Sequence, residues 1–357
     1  MLRKFIVLAI TMAGLSHASA QDSTVVEEKP KPILSGFVDA YYRYNFANPK
    51  NDLLNNFTSF TNSHNSFELG MASLKLEHSI GKVGAVIDVG YGRRAAEFSY
   101  PYMEENTSLL AIKQAYLTYS PTSALKFTFG TFGTHVGYEV LDAHLNRNYS
   151  MSYMFSYGPF FHTGLKADIS LGGKSALMVG ITNPTDLRTA SNMPKMFIGQ
   201  FSTGSKDDKL KAFLNFQGGK FADDGRLTQG DLVVTYAAAD KFSLGFNGTV
   251  QSRSFKGTDG KWEDANTWWG SALYVNVDPV SWFGATLRAE YFDDKKDVLG
   301  FNTSIIVPTL SLNFKVDNLT IIPEFRFESA KDQLYWKDAN SLSKSTGSFI
   351  LGAAYHF

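Results

Sequence analysis

Two carboxylates three residues apart, Glu139 and Asp142, sit in the connector 135–149. Four cations, Arg43, Lys75, Lys126 and Lys166, fall in the patterned segments on either side of it. Opposed across a narrow water-filled space, acids and bases so arranged set a transverse field that orients and filters polar solutes. Set apart, the same residues are ordinary solvated loop and wall charges. A second group, Asp39, Asp88, Arg288, Glu290, Glu324, Arg326 and Glu328, alternates with apolar neighbours and so shares one face of its segments. That face must be wet if the other meets lipid, since a Lys or Arg at the bilayer midplane costs about 2–4 kcal/mol. The plainer role for these residues is pairing across adjacent strands, not solute recognition.

Catalytic chemistry has thinner support. A hydrolase would need His beside Ser or Asp, and His144 with Asp142, or His162 with Ser150, are the pairs on offer. Ser is common enough here that such a coincidence means little. The histidines 64, 78, 135, 144, 162 and 356 fit no HExxH or other ligand spacing, and the chain has no Cys, which removes disulfides and thiolate metal sites. No cofactor, metal or enzyme activity is expected. Aromatic residues are plentiful, with 29 Phe and 17 Tyr. Trp262, Trp268, Trp269 and Trp282 fall near segment ends, as interfacial girdles require, while Tyr41, Tyr274 and Phe213 point inward and keep a sugar-stacking role open.

The elements that position these residues are strands. In 209–217, Leu210, Ala212, Leu214 and Phe216 alternate with Lys211, Phe213, Asn215 and Gln217, one face apolar and the other mostly polar. The same period of two marks Phe283, Ala285, Leu287, Ala289 and Tyr291 against Thr286, Arg288 and Glu290. It also marks Ile321, Phe325 and Phe327 against Glu324, Arg326 and Glu328. Strands are predicted at 37–46, 67–80, 83–93, 109–120, 125–134, 160–170, 175–182, 196–203, 209–221, 228–238, 241–253, 267–277, 281–292, 302–315, 318–328 and 346–357. The reading is all-β: a transmembrane antiparallel β-barrel of about 16 strands.

Connector lengths support that count. Short ones with turn residues, such as 81–82, 172–174, 206–208, 239–240 and 316–318, alternate with longer ones at 48–65, 95–108, 135–149, 183–195, 222–227, 254–266, 293–301 and 329–345. Strict alternation is what short periplasmic turns and longer external loops produce. An even count puts both ends of the chain on the periplasmic side.

Ahead of the barrel, Arg3 and Lys4, an apolar run to Leu15 and Ala18-Ser19-Ala20 read as a cleaved signal peptide, 1–20. The apolar run is too short for a spanning helix. Residues 21–32 read as a short periplasmic lead, too short for the plug of an energised transporter, and 33–357 as the barrel. Of 34 basic and 34 acidic residues, Arg3 and Lys4 leave with the leader, giving a mature net charge of −2 and no footprint for nucleic acid. The last strand closes on Tyr355 and Phe357, a pattern similar to the C-terminal assembly signal of outer-membrane barrels.

The stretch from Phe129 to Thr134, then Gly137-Tyr138-Glu139, 148–152, 159–164 and the opening 36–42 together resemble the beta-barrel porin-2 family over most of the mature chain. The resemblance implies an outer-membrane barrel forming a water-filled channel for passive diffusion of small polar solutes or ions. Partners would be outer-membrane lipid and the barrel-assembly machinery. The element order also resembles that of general-diffusion porins, whose third external loop folds inward. By that analogy 135–149 forms the constriction, Glu139 and Asp142 face Arg43, Lys75, Lys126 and Lys166, and three copies assemble, although no polar seam marks the lipid-facing strands. The alternatives are a barrel hydrolase and a structural or adhesive barrel without conductance.

Overall fold

A computed structural model describes residues 30–49, 55–100, 109, 111–338 and 341–357. The expected signal peptide, and all but the last residues of the lead, lie outside them. The chain forms β1 (Ile33–Asn45), β2 (Ser66–Ile80), β3 (Val83–Tyr91), helix α1 (Arg93–Phe98), β4 (Ile112–Thr122) and β5 (Leu125–Gly133). Helix α2 (Tyr153–Tyr157) precedes β6 (Phe161–Gly172), β7 (Ser175–Thr182), β8 (Met196–Gly204), β9 (Leu210–Lys220) and β10 (Gly225–Ala239). Then come β11 (Phe242–Phe255), β12 (Asn266–Val280), β13 (Phe283–Asp293), β14 (Ser304–Val316) and β15 (Leu319–Ala330). A small hairpin of β16 (Tyr335–Asp338) and β17 (Ser341–Ser343) leads into β18 (Ser345–His356).

Sixteen of these strands close into one antiparallel barrel in chain order, β18 pairing with β15 on one side and β1 on the other. The seam runs from Phe37↔His356 to Asn45↔Ser348 and is extended by reciprocal Gly36 and Phe357 backbone bonds of 3.1 and 3.0 Å. Closure leaves no unpaired edge, which a sheet in hydrocarbon cannot afford. The turns follow the expected chemistry: Gly81, Gly173, Asp208 and Asp317 all take positive φ, the backbone that tight hairpins need.

Period two in sequence becomes inside and outside in space. On β10, Leu227, Gln229, Asp231 and Val233 are buried inward while Leu232 and Tyr236 are exposed outward. Leu117, Phe129, Phe197, Leu214, Leu273, Leu310 and Phe325 continue that outer belt around the ring, each exposed. So large a continuous apolar surface suits hydrocarbon and not water. No helix among the described residues is long and apolar enough to cross a membrane.

Four details differ from the sequence reading. The strand expected to reach residue 93 stops at Tyr91, because Gly92 at φ 123° turns the chain into α1. The connector 329–345 is not plain loop but carries the β16–β17 hairpin. The strand predicted over 67–80 is interrupted early in β2 by a bulge: Asp39 pairs with Met71 and Ala40 with Leu69, leaving Gly70 extra. Trp268 is no girdle residue, since it is fully buried inside and donates to Gln251 at 3.1 Å. It follows Thr267 by one position, so it takes the opposite face from Trp269, which does look outward.

Candidate pore constriction

Between β5 and β6 the chain leaves the wall for residues 134–160 and meets inward-facing side chains all round the barrel. Irregular backbone in the interior is tolerable only if its N–H and C=O groups find partners. Here the wall supplies them. Asp231 on β10 accepts from Gly137 N at 3.0 Å, and Asn247 on β11 from Tyr138 N at 3.3 Å. Glu324 on β15 takes Tyr149 N and Ser150 N, one on each oxygen, at 2.7 and 3.1 Å. Glu290 on β13 accepts from Met154 N at 3.1 Å. Asn313 on β14 donates to the Arg147 carbonyl at 3.1 Å. Within the segment, Ser152 caps α2 by accepting from Phe155 N.

Side chains lock the same contact. Glu139 pairs with Arg288 of β13, accepts from Ser152 N and Oγ at 2.7 and 2.8 Å, and accepts from Tyr274 OH at 3.2 Å. Arg288 Nη1 also donates to the Ser150 carbonyl at 2.8 Å, and Arg326 Nη1 to the Met151 carbonyl at 2.7 Å. Arg326 is held in turn by Glu328, which accepts from Tyr153 OH at 2.8 Å. Arg147 reaches the turn side of β12 with two bonds to Asp278, 2.9 and 3.0 Å. The buried pairs Glu139–Arg288 and Arg326–Glu328 set opposite charges in contact, the condition under which burial of ions is tolerated.

Bare backbone provides sockets for the larger side chains. A Cβ on Gly352 would lie 2.3 Å from the Tyr149 ring, and one on Gly70 would lie 1.9 Å from Asp39 Oδ2 and 2.9 Å from Tyr149 OH. Tyr149 donates that hydroxyl to Asp39. Burial first, and the adjacent Asp39 second, hold its pKa well above the usual tyrosine value, so it stays a donor.

The charges singled out from sequence are distributed as follows. Asp39, Asp88, Arg288, Glu290, Glu324 and Arg326 are all buried on the inner face. Most of their partners lie on the inserted segment, not on adjacent strands. The cations that meet Glu139 and Asp142 are Arg288 and Lys113, the latter at 2.7 Å. Arg43, Lys75, Lys126 and Lys166 turn elsewhere. Arg43 donates to the Ser63 and Asn55 carbonyls at 2.7 and 2.9 Å, Lys75 pairs with Glu77 at 3.1 Å, and Lys126 and Lys166 meet Asp168 at 3.7 and 3.2 Å. Alternation reveals which face a residue takes but not its depth in the barrel, and depth decides the partner. Arg94 escaped the sequence reading altogether: on α1, it lies 3.8 Å from Asp39 and between the rings of Phe60 and Tyr149 at 4.9 and 5.3 Å. The tandem Arg93-Arg94 at the foot of a helix-compatible run was its only signal.

The histidine pairs considered for hydrolysis are placed apart. His144 stacks on His356 at 5.1 Å while Asp142 goes to Lys113. His162 meets Thr134 and the His135 ring, whereas Ser150 Oγ accepts from Arg288 and Arg326. Among the described residues, no group of three or more acidic or histidine side chains could hold a metal ion. On the turn side of the segment a cavity of about 530 Å³ opens between Tyr138 stacked on Tyr274 and the amides Gln200, Asn215 and Asn276.

A large closed antiparallel barrel, apolar outside, with a connector folded against its inner wall, is the architecture of the porin class. The chain belongs to the family described as Putative beta-barrel porin-2, OmpL-like, which matches residues 33–357. That membership and the barrel fold assign it to the outer membrane. No curated protein matches the sequence. Among solved structures, the outer membrane channel DcaP of Acinetobacter baumannii is similar at 14% identity and TM-score 0.61, over 91% of this chain and 97% of that one. An anion-selective porin from Comamonas acidovorans is similar at 13% identity and TM-score 0.58, over 92% and 99%. The trimer form of OmpT of Vibrio cholerae is similar at 11% identity and TM-score 0.55, over 92% and 99%. At these identities the likeness is one of fold.

Proposed function

We propose that the chain is an outer-membrane porin, exported through a cleaved signal peptide at 1–20, that lets small polar solutes diffuse passively through a lumen narrowed by residues 134–160. The observation that supports this reading is the satisfaction of interior backbone by wall carboxylates and amides, Glu324, Glu290, Asp231 and Asn247, which holds against the wall a segment whose regular structure is limited to short helical turns. Glu139 and Asp142 belong to that constriction, but with Arg288 and Lys113 as partners their charges cancel locally. Lumen charges nearer solvent include Lys126, Lys166 and Asp168, and Arg147, Asp278 and Lys315. A compensated constriction of this kind gives weak ion selectivity, because among the described residues its acids are paired with bases instead of forming a single-sign ring. The cavity beside it, where amides and tyrosines alternate with Val140, Leu145, Phe213 and Val233, favours neutral solutes with both polar and apolar surface. Tyr355 and Phe357 act in barrel assembly, and the trimer form of the OmpT structure makes a homotrimer the assembly to test first.

The test is single-channel recording of the refolded mature chain in planar bilayers, with reversal potentials and block by sugars, organic acids and peptides. Ohmic conductance steps with a small reversal potential are expected. A folded barrel that never conducts would favour a structural or adhesive role. Substrate turnover abolished by His144→Ala or Ser150→Ala would favour a hydrolase.

A further inference from the structure

The outer wall carries a charge cluster that no pore requires. Lys220 on β9, Arg226 on β10 and Lys256 just beyond β11 converge on one indole: Arg226 Cζ lies 4.5 Å, Lys256 Nζ 5.5 Å and Lys220 Nζ 5.8 Å from the ring centroid of Trp262. All three cations are exposed. Lys220 and Arg226 are direct cross-strand partners, and Trp262 is bridged to Lys256 across the β11–β12 connector. Lys220 and Arg226 continue the outward rows of Leu214 and Phe216 and of Leu232 and Tyr236, at the end of the barrel that carries the long connectors. The cluster therefore sits where the apolar belt gives way to the external surface.

A cation at that level is tolerated without help, so position alone asks for nothing. Convergence does. Like charges directly opposite each other weaken a strand pair, and a third cation over the same ring adds to the repulsion. The indole face offsets this only in part. Carboxylates are near in sequence, yet among the described residues Asp223, Asp224, Glu263 and Asp264 form no ion pair with the three cations, and Asp259 is taken by Lys261 at 3.7 Å. What is missing is an anion of high charge density, and Arg with Lys around a common centre matches a phosphate. Below the cations lies the exposed strip of Leu214, Phe216 and Leu232. That apolar strip suits acyl chains and distinguishes a lipid from a free ion.

We propose that Lys220, Arg226, Lys256 and Trp262 form a binding site on the barrel exterior for the phosphate of a phosphorylated glycolipid in the outer leaflet. The cations neutralise the phosphate, the indole covers the sugar to which it is joined, and the acyl chains run down the apolar strip. The experiment is native mass spectrometry of the full mature barrel in detergent with lipid A or its dephosphorylated form, and with inorganic phosphate as competitor. The intact protein should retain lipid A about tenfold better than the dephosphorylated lipid, a preference that falls with added salt. The combined Lys220→Gln, Arg226→Gln, Lys256→Gln variant should lose that preference while keeping wild-type conductance and the gel mobility of a folded barrel. Equal retention of the two lipids by the intact protein, or an unchanged preference in the variant, overturns the proposal. Displacement of lipid A by an equal concentration of inorganic phosphate overturns the lipid assignment in favour of a free-anion site.

Discussion

The inserted segment docks on two walls by different chemistry. Toward β9–β11 it meets amides and hydroxyls in two sets: Asn215 and Asn247 donate to a single acid, Asp231, while Gln229 accepts from Gln251 and donates to Thr249. Toward β13–β15 and β1 it meets ions: Arg288, Glu290, Glu324, Arg326, Glu328 and Asp39. An amide ladder can lose one member and rearrange, or admit water. A buried ionic network has no such slack, because an ion stripped of its partner in low dielectric is far costlier than an unpaired amide. The ionic wall therefore fixes the segment, and the amide wall is where the cavity beside Tyr138 and Tyr274 opens.

The sharpest way to break this comparison is to remove Glu139. Glu139→Ala leaves Arg288 buried without its counter-ion, a loss of about 3–5 kcal/mol from docking of the segment. The barrel ladder does not involve Glu139, so the strands should persist while single-channel conductance rises and becomes noisy. Asp231→Asn on the other wall keeps an acceptor for Gly137 N and should change conductance little. Equal effects from the two substitutions would show the walls to be equivalent. A smaller effect is expected from filling a socket. Gly352→Val drives a side chain into the Tyr149 ring, and overpacking of that kind costs about 1–3 kcal/mol. It should lower the thermal midpoint and loosen the segment, whereas valine at the outward-facing Gly230, whose Cβ would meet nothing nearer than 3.9 Å, should do neither.

The ionic wall also marks where sequence stops being informative. A strand repeats every two residues, so the face taken by Arg288, Glu290, Glu324 and Arg326 can be read locally, as can the turns at Gly81 and Asp317. The partner of Arg288 lies 149 residues away in sequence. Nothing local specifies that Glu139 descends to its level and not to that of Arg43. Helix α1 was hidden for a related reason: Arg94 follows a strand whose alternation predicts two further residues, and only the conformation of Gly92 diverts it. Trp268 misled because composition near a strand end suggests a girdle, while parity, one residue removed from Trp269, decides the face.

The finest test of the two-wall picture is acid, since both histidines of the segment are neutral when docked. His144 is pushed down to about 4, first by burial and then by neighbouring His356 and Lys113, with Asp88 opposing. It packs on the Phe37 ring of β1 and the His356 ring of β18. His135, against the amide wall, is also lowered to about 4 by burial, with Lys166 adding to the effect and its bond to the Phe216 carbonyl opposing it. A released histidine titrates near its ordinary value of 6.5. With the docked pKa below the released one, the contribution to docking is whole above about pH 6.5 and is lost as pH falls through about 4. Conductance should thus be steady at pH 7 and flicker between open levels near pH 4. His144→Phe keeps the ring stack without the charge and should reduce the flickering more than His135→Asn, because it acts at the ionic wall that holds the segment in place. Flickering that grows toward high pH, or that His144→Phe leaves unchanged, would show that the ionic wall does not govern docking.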